Sequence, residues 1–259
     1  MEQLTFDRVG EQMYREKLEN GPHRVRLPPS RSFKRATPSL PPIMGHGCAL
    51  LPGRGVDDSP AGVAHYLEHK MFDTKEGNAL QDLAANGASP NAFTSSAITG
   101  YYFESTEKFE ENLRILLSFV SQPWFTQESV DKERGIIGQE IGMIQDNPDW
   151  KVFTNLMAAL YQHHPIRLSV AGSVESIAEI TPETLYACHK AFYDPANMVL
   201  CVAGNVEAEK ICAIAREILP KEAGPHRRAG LRPPGAGAGS PEFGGGDHGG
   251  VYPHFPAGL

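Results

Sequence analysis

Two histidines and a glutamate lie within five residues, in the segment His65-Tyr66-Leu67-Glu68-His69. On an α-helix, residues i and i+4 are separated by about 40° around the axis and residue i+3 lies about 60° to the other side, so these three polar side chains point into one narrow arc. Two imidazoles one turn apart can bind a single Zn²⁺ ion, and a carboxylate beside them can activate the water on that metal. The order HxxEH is the reverse of the HExxH zinc motif. Taken alone, the motif is also compatible with a polar helix face that only forms hydrogen bonds.

Two further carboxylates interrupt the apolar face of a helix predicted for residues 126–146. Glu133 and Glu140 follow the i, i+3, i+4, i+7 spacing of a buried helical stripe, together with Val130, Ile137, Ile141 and Ile144. A buried carboxylate without a partner costs several kcal/mol or becomes protonated, so this arrangement requires a nearby cation. A metal ion held by two histidines is one such cation, and a salt bridge to Arg or Lys is the alternative. The helix therefore supplies candidates for a third metal ligand.

The two motifs together resemble a known family. HYLEH at 65–69, followed by ERGIIGQE at 133–140, is similar to the insulinase/pitrilysin family of zinc peptidases, in its bacterial form, which includes the mitochondrial processing peptidases. The resemblance implies that Zn²⁺ is the cofactor and that this chain is the N-terminal metal-binding domain. It assigns the metal ligands to His65, His69 and Glu140. It also implies two catalytic carboxylates, Glu68 as the general base and Glu133 as a supporting group near the site.

A second segment agrees with this family. Asn91, Ala92, Phe93 and Thr94, which lead to Tyr101-Tyr102-Phe103, resemble the family's edge strand, which binds extended substrate through its backbone. Adding a substrate strand to a sheet edge suits a peptidase that binds unfolded peptides. An ordinary hairpin is the alternative for these residues alone. Similarity also continues through residues 193–206, which makes other histidines structural or exposed rather than ligands: His163, His164 and His189.

The family resemblance implies an α+β fold, an antiparallel sheet with helices packed on one face. Hydrophobic periodicity and helix-capping residues predict the individual elements. Helices are expected at residues 60–72, 81–85, 109–121, 126–146 and 206–219, with helical turns at 176–181 and 182–192. A strand pair is expected within 91–104 and a last strand at 198–203.

Bulk composition excludes several classes of function. A net charge of −7 at pH 7 argues against binding to nucleic acid or to a membrane surface, because those partners require clustered Lys and Arg. No apolar run approaches the roughly 20 residues that span a bilayer. The first residues show neither the basic nor the apolar region of a secretory signal. The four cysteines are widely spaced and indicate reduced thiols, which predicts a cytoplasmic protein.

Two segments depart from the rest of the sequence. Residues 1–222 are expected to form the metal-binding domain, but residues 22–56 within it are rich in Pro and Arg. Prolines at that density are expected to prevent a central strand or helix, because each removes an N–H and fixes φ. Residues 223–259 are Gly/Pro-rich and are predicted to be disordered. Two explanations remain open for these segments, out-of-frame translation and, for 22–56, a genuine proline-rich insertion.

The sequence therefore predicts a zinc endopeptidase that hydrolyses peptides with a metal-activated water. Its expected partners are a peptide substrate and a homologous second domain or subunit that completes the chamber around the zinc. Two alternatives stay open at this point. One is a non-catalytic subunit that binds peptides or regulates a partner, and the other is an inactive truncated product.

Overall fold

The computed structural model describes residues 1–8, 11–18, 25–27, 35–37, 59–96, 98–161 and 165–220. Within them, one sheet of seven strands is packed against helices, which confirms the predicted α+β class. The strands are β1 (Glu2–Phe6), β2 (Glu11–Glu16), β3 (Val25–Leu27), β4 (Arg35–Thr37), β5 (Ser89–Thr94), β6 (Thr99–Glu104) and β7 (Leu200–Ala203). Their order is β1-β2-β3-β7-β4-β6-β5. Every described pairing is antiparallel except β3 with β7, so the sheet is mixed at one position.

Eight α-helices are described: α1 (Val63–Lys70), α2 (Ala79–Ala85), α3 (Phe109–Ser121), α4 (Gln127–Asp146), α5 (Pro148–Leu160), α6 (Val174–Ala178), α7 (Pro182–Phe192) and α8 (Ala208–Ile218). Short 3₁₀ turns lie at Pro165–Arg167 and Pro195–Asn197. The prediction for α3 matches to the residue, and those for the other predicted helices differ at their ends. Helix α7 covers the residues for which only helical turns were predicted. Helix α5 was not expected from the sequence.

Local capping explains why α4 and α5 begin where they do. Thr126 starts α4 with a capping box, in which its side chain accepts from the amide of Ser129 and the Ser129 side chain accepts from the amide of Thr126. Asn147 then caps α5, since its side-chain oxygen accepts from the amides of Asp149 and Trp150. Pro148 occupies the first helical turn, where its missing N–H costs nothing.

The prediction that residues 22–56 contain no strand was wrong for two short pieces. Strands β3 and β4 lie in that segment, and β4 pairs with both β6 and β7 inside the sheet. Neither three-residue strand contains a proline; Pro22, Pro28 and Pro38 lie before or after them in the chain. Their amides therefore remain available for pairing. The remainder of 22–56 and the tail 223–259 lie outside the described residues, and resequencing the coding DNA would distinguish the two explanations for them.

One face of the sheet packs against the helices. Tyr101 and Phe103 in β6 are buried, as are Leu200 and Val202 in β7. Four residues on the other face are only half-buried: Tyr102, Glu104, Cys201 and Ala203. The ring of Tyr101 lies 5.6 Å from that of Phe72 and 5.7 Å from that of Phe119, as measured between centroids. This aromatic cluster joins the sheet to the end of α1 and to α3. It supplies the support on which α1 rests.

A close backbone contact fixes the start of α1. Gly62, the N-cap of α1, has φ +91°, and a Cβ there would lie 2.5 Å from the carbonyl oxygen of Ala171. Gly172 has φ +78°, and its Cβ would lie 2.4 Å from the carbonyl oxygen of Ala61. The Ser176 hydroxyl donates to that same Ala61 oxygen at 2.7 Å. Only glycine fits both positions, so the two segments can approach this closely.

The described helices include none that combines the length and the apolar character needed to cross a membrane. Cys188 and Cys212 are thiols buried in the core, and Cys201 is half-buried. Cys48 lies outside the described residues.

Candidate metal centre

Helix α1 presents the three polar residues of the HxxEH motif on one side, as the spacing predicts. The rings of His65 and His69 lie 4.7 Å apart between centroids. Glu68 is buried, while Tyr66 and Leu67 between them are part of the hydrophobic core. The hydroxyl of Tyr66 donates to the carbonyl oxygen of Val130, which ties α1 directly to α4. The motif is therefore held by the apolar residues within it.

Helix α4 brings Glu140 to the two histidines. Its Oε1 lies 3.5 Å from His65 Nε2, and its Oε2 lies 3.5 Å from His69 Nε2. One ligand atom from each of these three residues can be chosen so that all lie within 4.8 Å of one another. Among the described residues, His65, His69 and Glu140 are the one group of this kind.

This donor set fits zinc. Two imidazole nitrogens and one carboxylate oxygen are a common ligand set of catalytic zinc sites, which keep a further position open. In a tetrahedral site with metal–ligand bonds of about 2.1 Å, neighbouring donor atoms are about 3.4 Å apart. His65 Nε2 lies 3.5 Å from one Glu140 oxygen and His69 Nε2 lies 3.5 Å from the other, so each histidine pairs with Glu140 at close to that spacing. Both distances exceed the usual length of an N–H···O hydrogen bond.

Glu133 fixes the orientation of His69. Its Oε1 lies 3.0 Å from His69 Nδ1, so that nitrogen donates its proton to the carboxylate. The lone pair of the neutral ring is then on Nε2, the atom that faces Glu140. Such a carboxylate behind a ligating histidine is a recurring feature of zinc sites. Glu133 therefore contacts the candidate ligand His69 on the side away from Glu140.

The pKa values of the two histidines are shifted in opposite directions. Burial lowers the pKa of His65 below its ordinary value, and the neighbouring His69 lowers it further. Burial also acts to lower the pKa of His69, but the hydrogen bond and charge of Glu133, with Glu68 and Glu140, leave it raised. The hydrogen bond from His69 lowers the pKa of Glu133 against the effect of its burial. A neutral His65 is ready to bind a cation.

Glu68 lies beside the metal group and contacts the edge strand. The hydroxyl of Thr94 in β5 donates to Glu68 Oε2, and the same hydroxyl lies 3.4 Å from that of Thr99. Burial raises the pKa of Glu68, although the Thr94 hydrogen bond partly offsets that rise. A raised pKa suits a carboxylate that must both accept and release a proton near neutral pH.

Strand β5 is the terminal strand of the described sheet, as the sequence indicated. It pairs with β6 from Ser89 to Thr94, and no described strand covers its other side. The Ala92 amide donates to the side-chain oxygen of Asn91 at 2.8 Å. Phe93 lies over Gly100 of β6, where a Cβ would meet the Phe93 ring at 2.5 Å. The four predicted substrate-binding residues therefore form an open edge that ends at Glu68.

Three histidines were expected to be structural or exposed rather than ligands, and the structure describes one of them. His189 is buried, its Nε2 donates to the carbonyl oxygen of Val120 at 2.8 Å, and its ring stacks on Tyr193. Burial lowers the pKa of His189 to about 4, so it is a neutral core residue, as expected. His163 and His164 lie outside the described residues.

Sequence analysis missed two contacts that complete the site. One is Lys70, which is buried at the end of α1 and lies 3.7 Å from Glu133 Oε2. The other is the hydrogen bond between Thr94 and Glu68, which joins the edge strand to the predicted base. A lysine directly after the HxxEH motif and directly before the apolar pair Met71-Phe72 was the available signal for the first. Nothing local in the sequence indicated the second.

The HxxEH motif is typical of one class of metallopeptidases, the inverzincins. The fold and the candidate site together place the chain in that class. Family models agree. Residues 56–174 match the model described as insulinase (peptidase family M16), and residues 179–244 match the model of the peptidase M16 inactive domain. The chain belongs to the M16, or insulinase, family of peptidases, whose metal is zinc.

Similar proteins extend this result. Over 217 residues the chain is 41% identical to a Bacillus subtilis protein named uncharacterized zinc protease YmfH, covering 83% of this chain and 50% of that protein. It is 31% identical to an uncharacterized zinc protease of Mycobacterium leprae, over 70% of this chain and 42% of the relative. A crystal structure of a putative M16-like peptidase from Alicyclobacillus acidocaldarius superposes with a TM-score of 0.75 at 36% identity, over 83% of this chain and 51% of that one. The chain thus spans about half the length of the relatives that it matches.

Proposed function

We propose that this chain is the zinc-binding half of an endopeptidase, in which residues 1–222 form the metal-binding domain. The observation that carries the proposal is the convergence of His65, His69 and Glu140 from two helices, with the Glu68 carboxylate beside them. A zinc ligand set alone is compatible with a structural site. The additional buried carboxylate, which is not needed to hold the metal, favours catalysis.

In this proposal the chemistry is divided between metal and protein. Zinc supplies a Lewis acid that makes water acidic enough to attack at neutral pH and that polarises the scissile carbonyl. Glu68 accepts the proton of the attacking water and delivers it to the leaving amine. Glu133 keeps the His69 ring in the orientation that directs Nε2 to Glu140. Burial raises the pKa of Glu68 above its ordinary value, which suits this double role.

The substrate class follows from the open edge of the sheet. A peptide in extended conformation can pair with β5 along Asn91, Ala92, Phe93 and Thr94, as strand addition does in other peptide-binding domains. Because Thr94 contacts Glu68, a peptide paired there would have its backbone next to the metal group. The protein would therefore act on unfolded segments.

About half the length of the relatives has no counterpart in this chain, which supports a partner domain or subunit. We propose that a homologous second domain or subunit closes over the metal centre and completes the peptide chamber. We also propose a cytoplasmic location, since Cys188 and Cys212 are buried thiols and reducing compartments preserve thiols.

A non-catalytic peptide-binding subunit is the second candidate. The match of residues 179–244 to a model described as an inactive domain favours it. That match does not include residues 65–140, where the metal group lies.

Zinc content tests the proposal first. Elemental analysis of the purified chain should give about one zinc per chain, and Glu140→Gln should reduce it, because one of the three ligands is lost. Gln139 is the exposed neighbour of Glu140. Gln139→Glu is therefore the matched control, and it should leave the zinc content unchanged. A folded wild-type chain without zinc would contradict the proposal.

Peptide hydrolysis then separates the two candidate functions. In the presence of the second half, Glu68→Gln should lower the rate at least about 100-fold, the usual contribution of a general base, with zinc retained. Equal rates for wild type and Glu68→Gln would remove Glu68 from the mechanism. Zinc binding without wild-type hydrolysis would support the non-catalytic subunit.

A further inference from the structure

Lys70, the last residue of α1, is a buried cation beside the metal group. It is 2% exposed, and lysine is almost never buried this fully unless it is paired. Its side chain is not directed at the proposed zinc position but at two carboxylates behind it, those of Asp73 and Glu133. The residue thus carries a charge that the proposed reaction does not use.

On one side Lys70 is anchored by the loop after α1. Its Nζ donates to Asp73 Oδ2, and Asp73 Oδ1 accepts from Asn78 Nδ2 at 3.4 Å. The loop itself is closed by the Ala79 amide, which donates to the Phe72 carbonyl oxygen at 2.8 Å. Asp73 therefore gives the ammonium group a position that depends on the loop and not on the metal site.

On the other side Lys70 faces Glu133. The Nζ lies 3.7 Å from Glu133 Oε2, while Glu133 Oε1 is 3.0 Å from His69 Nδ1. The two oxygens of Glu133 thus have different partners, a cation and a ring N–H. A carboxylate held at both oxygens is restricted in rotation, so the acceptor that faces His69 stays in place.

We propose that Lys70 is a positioning residue of the metal centre, which holds Glu133 through its second oxygen and thereby fixes the ring of His69 for zinc. This inference rests on the proposed zinc function. In the proposed mechanism, Lys70 contacts neither the metal nor the substrate. The path of contacts runs from the loop at Asp73, through Lys70 and Glu133, to His69.

The test compares four forms of the full chain with wild type: Lys70→Met, Glu133→Gln, the double variant, and Lys132→Met. Methionine keeps the length and apolar stem of Lys70 and removes the charge. Lys132 is exposed on α4 next to Glu133, so its replacement controls for net charge. Zinc affinity is measured by competition with a chelator. The tautomer of His69 in metal-free protein at alkaline pH is read from two-bond ¹H–¹⁵N spectra of the imidazole.

Lys70→Met should weaken zinc binding about 10-fold, at the low end of the effect of supporting groups in zinc sites, and Lys132→Met should not. In the metal-free wild type the proton of His69 should lie on Nδ1, whereas Lys70→Met should show a mixture of tautomers. In the Glu133→Gln background, Lys70→Met should add less than about a twofold change, because the two residues act in one path.

Three results would overturn the proposal: unchanged zinc affinity in Lys70→Met, an unchanged tautomer of His69, or equal losses from Lys70→Met with and without Glu133. If Lys70→Met does not fold, Asp73→Asn weakens the same anchor from the loop side and is judged by the same measurements. A wild-type chain that binds no zinc would refute the proposed function. The tautomer comparison, which needs no metal, would still decide the role of Lys70.

Discussion

Helices α4 and α5 follow one another in the chain but differ in burial: α4 buries part of its surface, whereas α5 buries no residue. Helix α4 packs Val130, Ile137 and Ile141 into the core and directs Glu133 and Glu140 at α1. Helix α5 has no buried residue, although it is rich in large apolar side chains. Exposed on it are Trp150 (53%), Val152 (67%), Phe153 (46%) and Leu156 (48%).

The contrast shows that polarity alone does not decide which residues this protein buries. Glu133 is half-buried, with a histidine N–H hydrogen-bonded to one of its oxygens and a lysine ion-paired with the other, and such charges are tolerated when they are paired. The apolar residues of α5 remain exposed because the described part of the chain packs little against them. Exposure of several large apolar residues together is uncommon on a monomer surface. It fits a chain that spans about half the length of its relatives.

The largest effect expected from this contrast is on stability. Phe72→Ala removes a ring that packs on Tyr101 and Phe119, so it should lower the free energy of unfolding by about 3–5 kcal/mol. Phe153→Ala, the same substitution on α5, should change it by less than about 0.5 kcal/mol, as for surface residues. Urea unfolding followed by circular dichroism measures both. A loss of several kcal/mol for Phe153→Ala would show that α5 is packed and would break the comparison.

An intermediate effect concerns pH and the buried His189. Its pKa is lowered to about 4 in the folded chain, so unfolding takes up a proton between about pH 6.5 and 4, and acid favours the unfolded state. The stability linked to His189 is complete above its unfolded pKa and is lost as the pH falls. Between about pH 7.5 and 5 the loss should be about 2 kcal/mol.

His189→Gln tests this linkage, because the glutamine amide can still donate to the Val120 carbonyl oxygen without titrating. The variant should lose about 2 kcal/mol less than wild type between about pH 7.5 and 5. Urea unfolding at both pH values provides the measurement. Parallel pH profiles for the two proteins would mean that His189 is not the source.

The smallest effect compares two hydroxyls. Tyr66→Phe removes the buried hydrogen bond to the Val130 carbonyl oxygen and should cost about 1 kcal/mol. Thr154→Val removes the exposed hydrogen bond from Thr154 to Trp150 on α5 and should change stability very little. Thermal melts in the presence and absence of zinc measure both. Equal costs would mean that the environment of the hydroxyl does not matter here.

Much of the candidate metal centre could be predicted from the sequence, because the helical spacing that brings its residues together is local. His65, Glu68 and His69 share one turn of one helix, and the seven residues from Glu133 to Glu140 keep both carboxylates on one face. Helical periodicity is enough to place such groups. The open edge at β5 was also expected, although from a family resemblance rather than from alternation alone.

The remaining features depend on contacts between distant segments or on signals that were read wrongly. Strands β3 and β4 have three residues each and pair with β7, far along the chain, so no local pattern shows them. Helix α5 did have a signal, Asn147 followed by Pro148, which is typical of a helix start. The helix predicted for residues 126–146 ends before this proline, and no second helix was predicted after it. Two sets of side-chain contacts are visible only in the folded structure: those of Thr94 with Glu68, and those of Lys70 with Asp73 and Glu133.

The close contact of Gly62 with the segment at Gly172 has a consequence for how the protein is made. The hydrogen bond that supports it joins Ser176 to Ala61, 115 residues apart in the chain. Contacts of such sequence separation form late, because a long loop must close first. During synthesis, the start of α1 therefore reaches its final position only after residue 176 has left the ribosome. A nascent chain that already contains His65, His69 and Glu140 should accordingly bind zinc weakly until that later segment is in place.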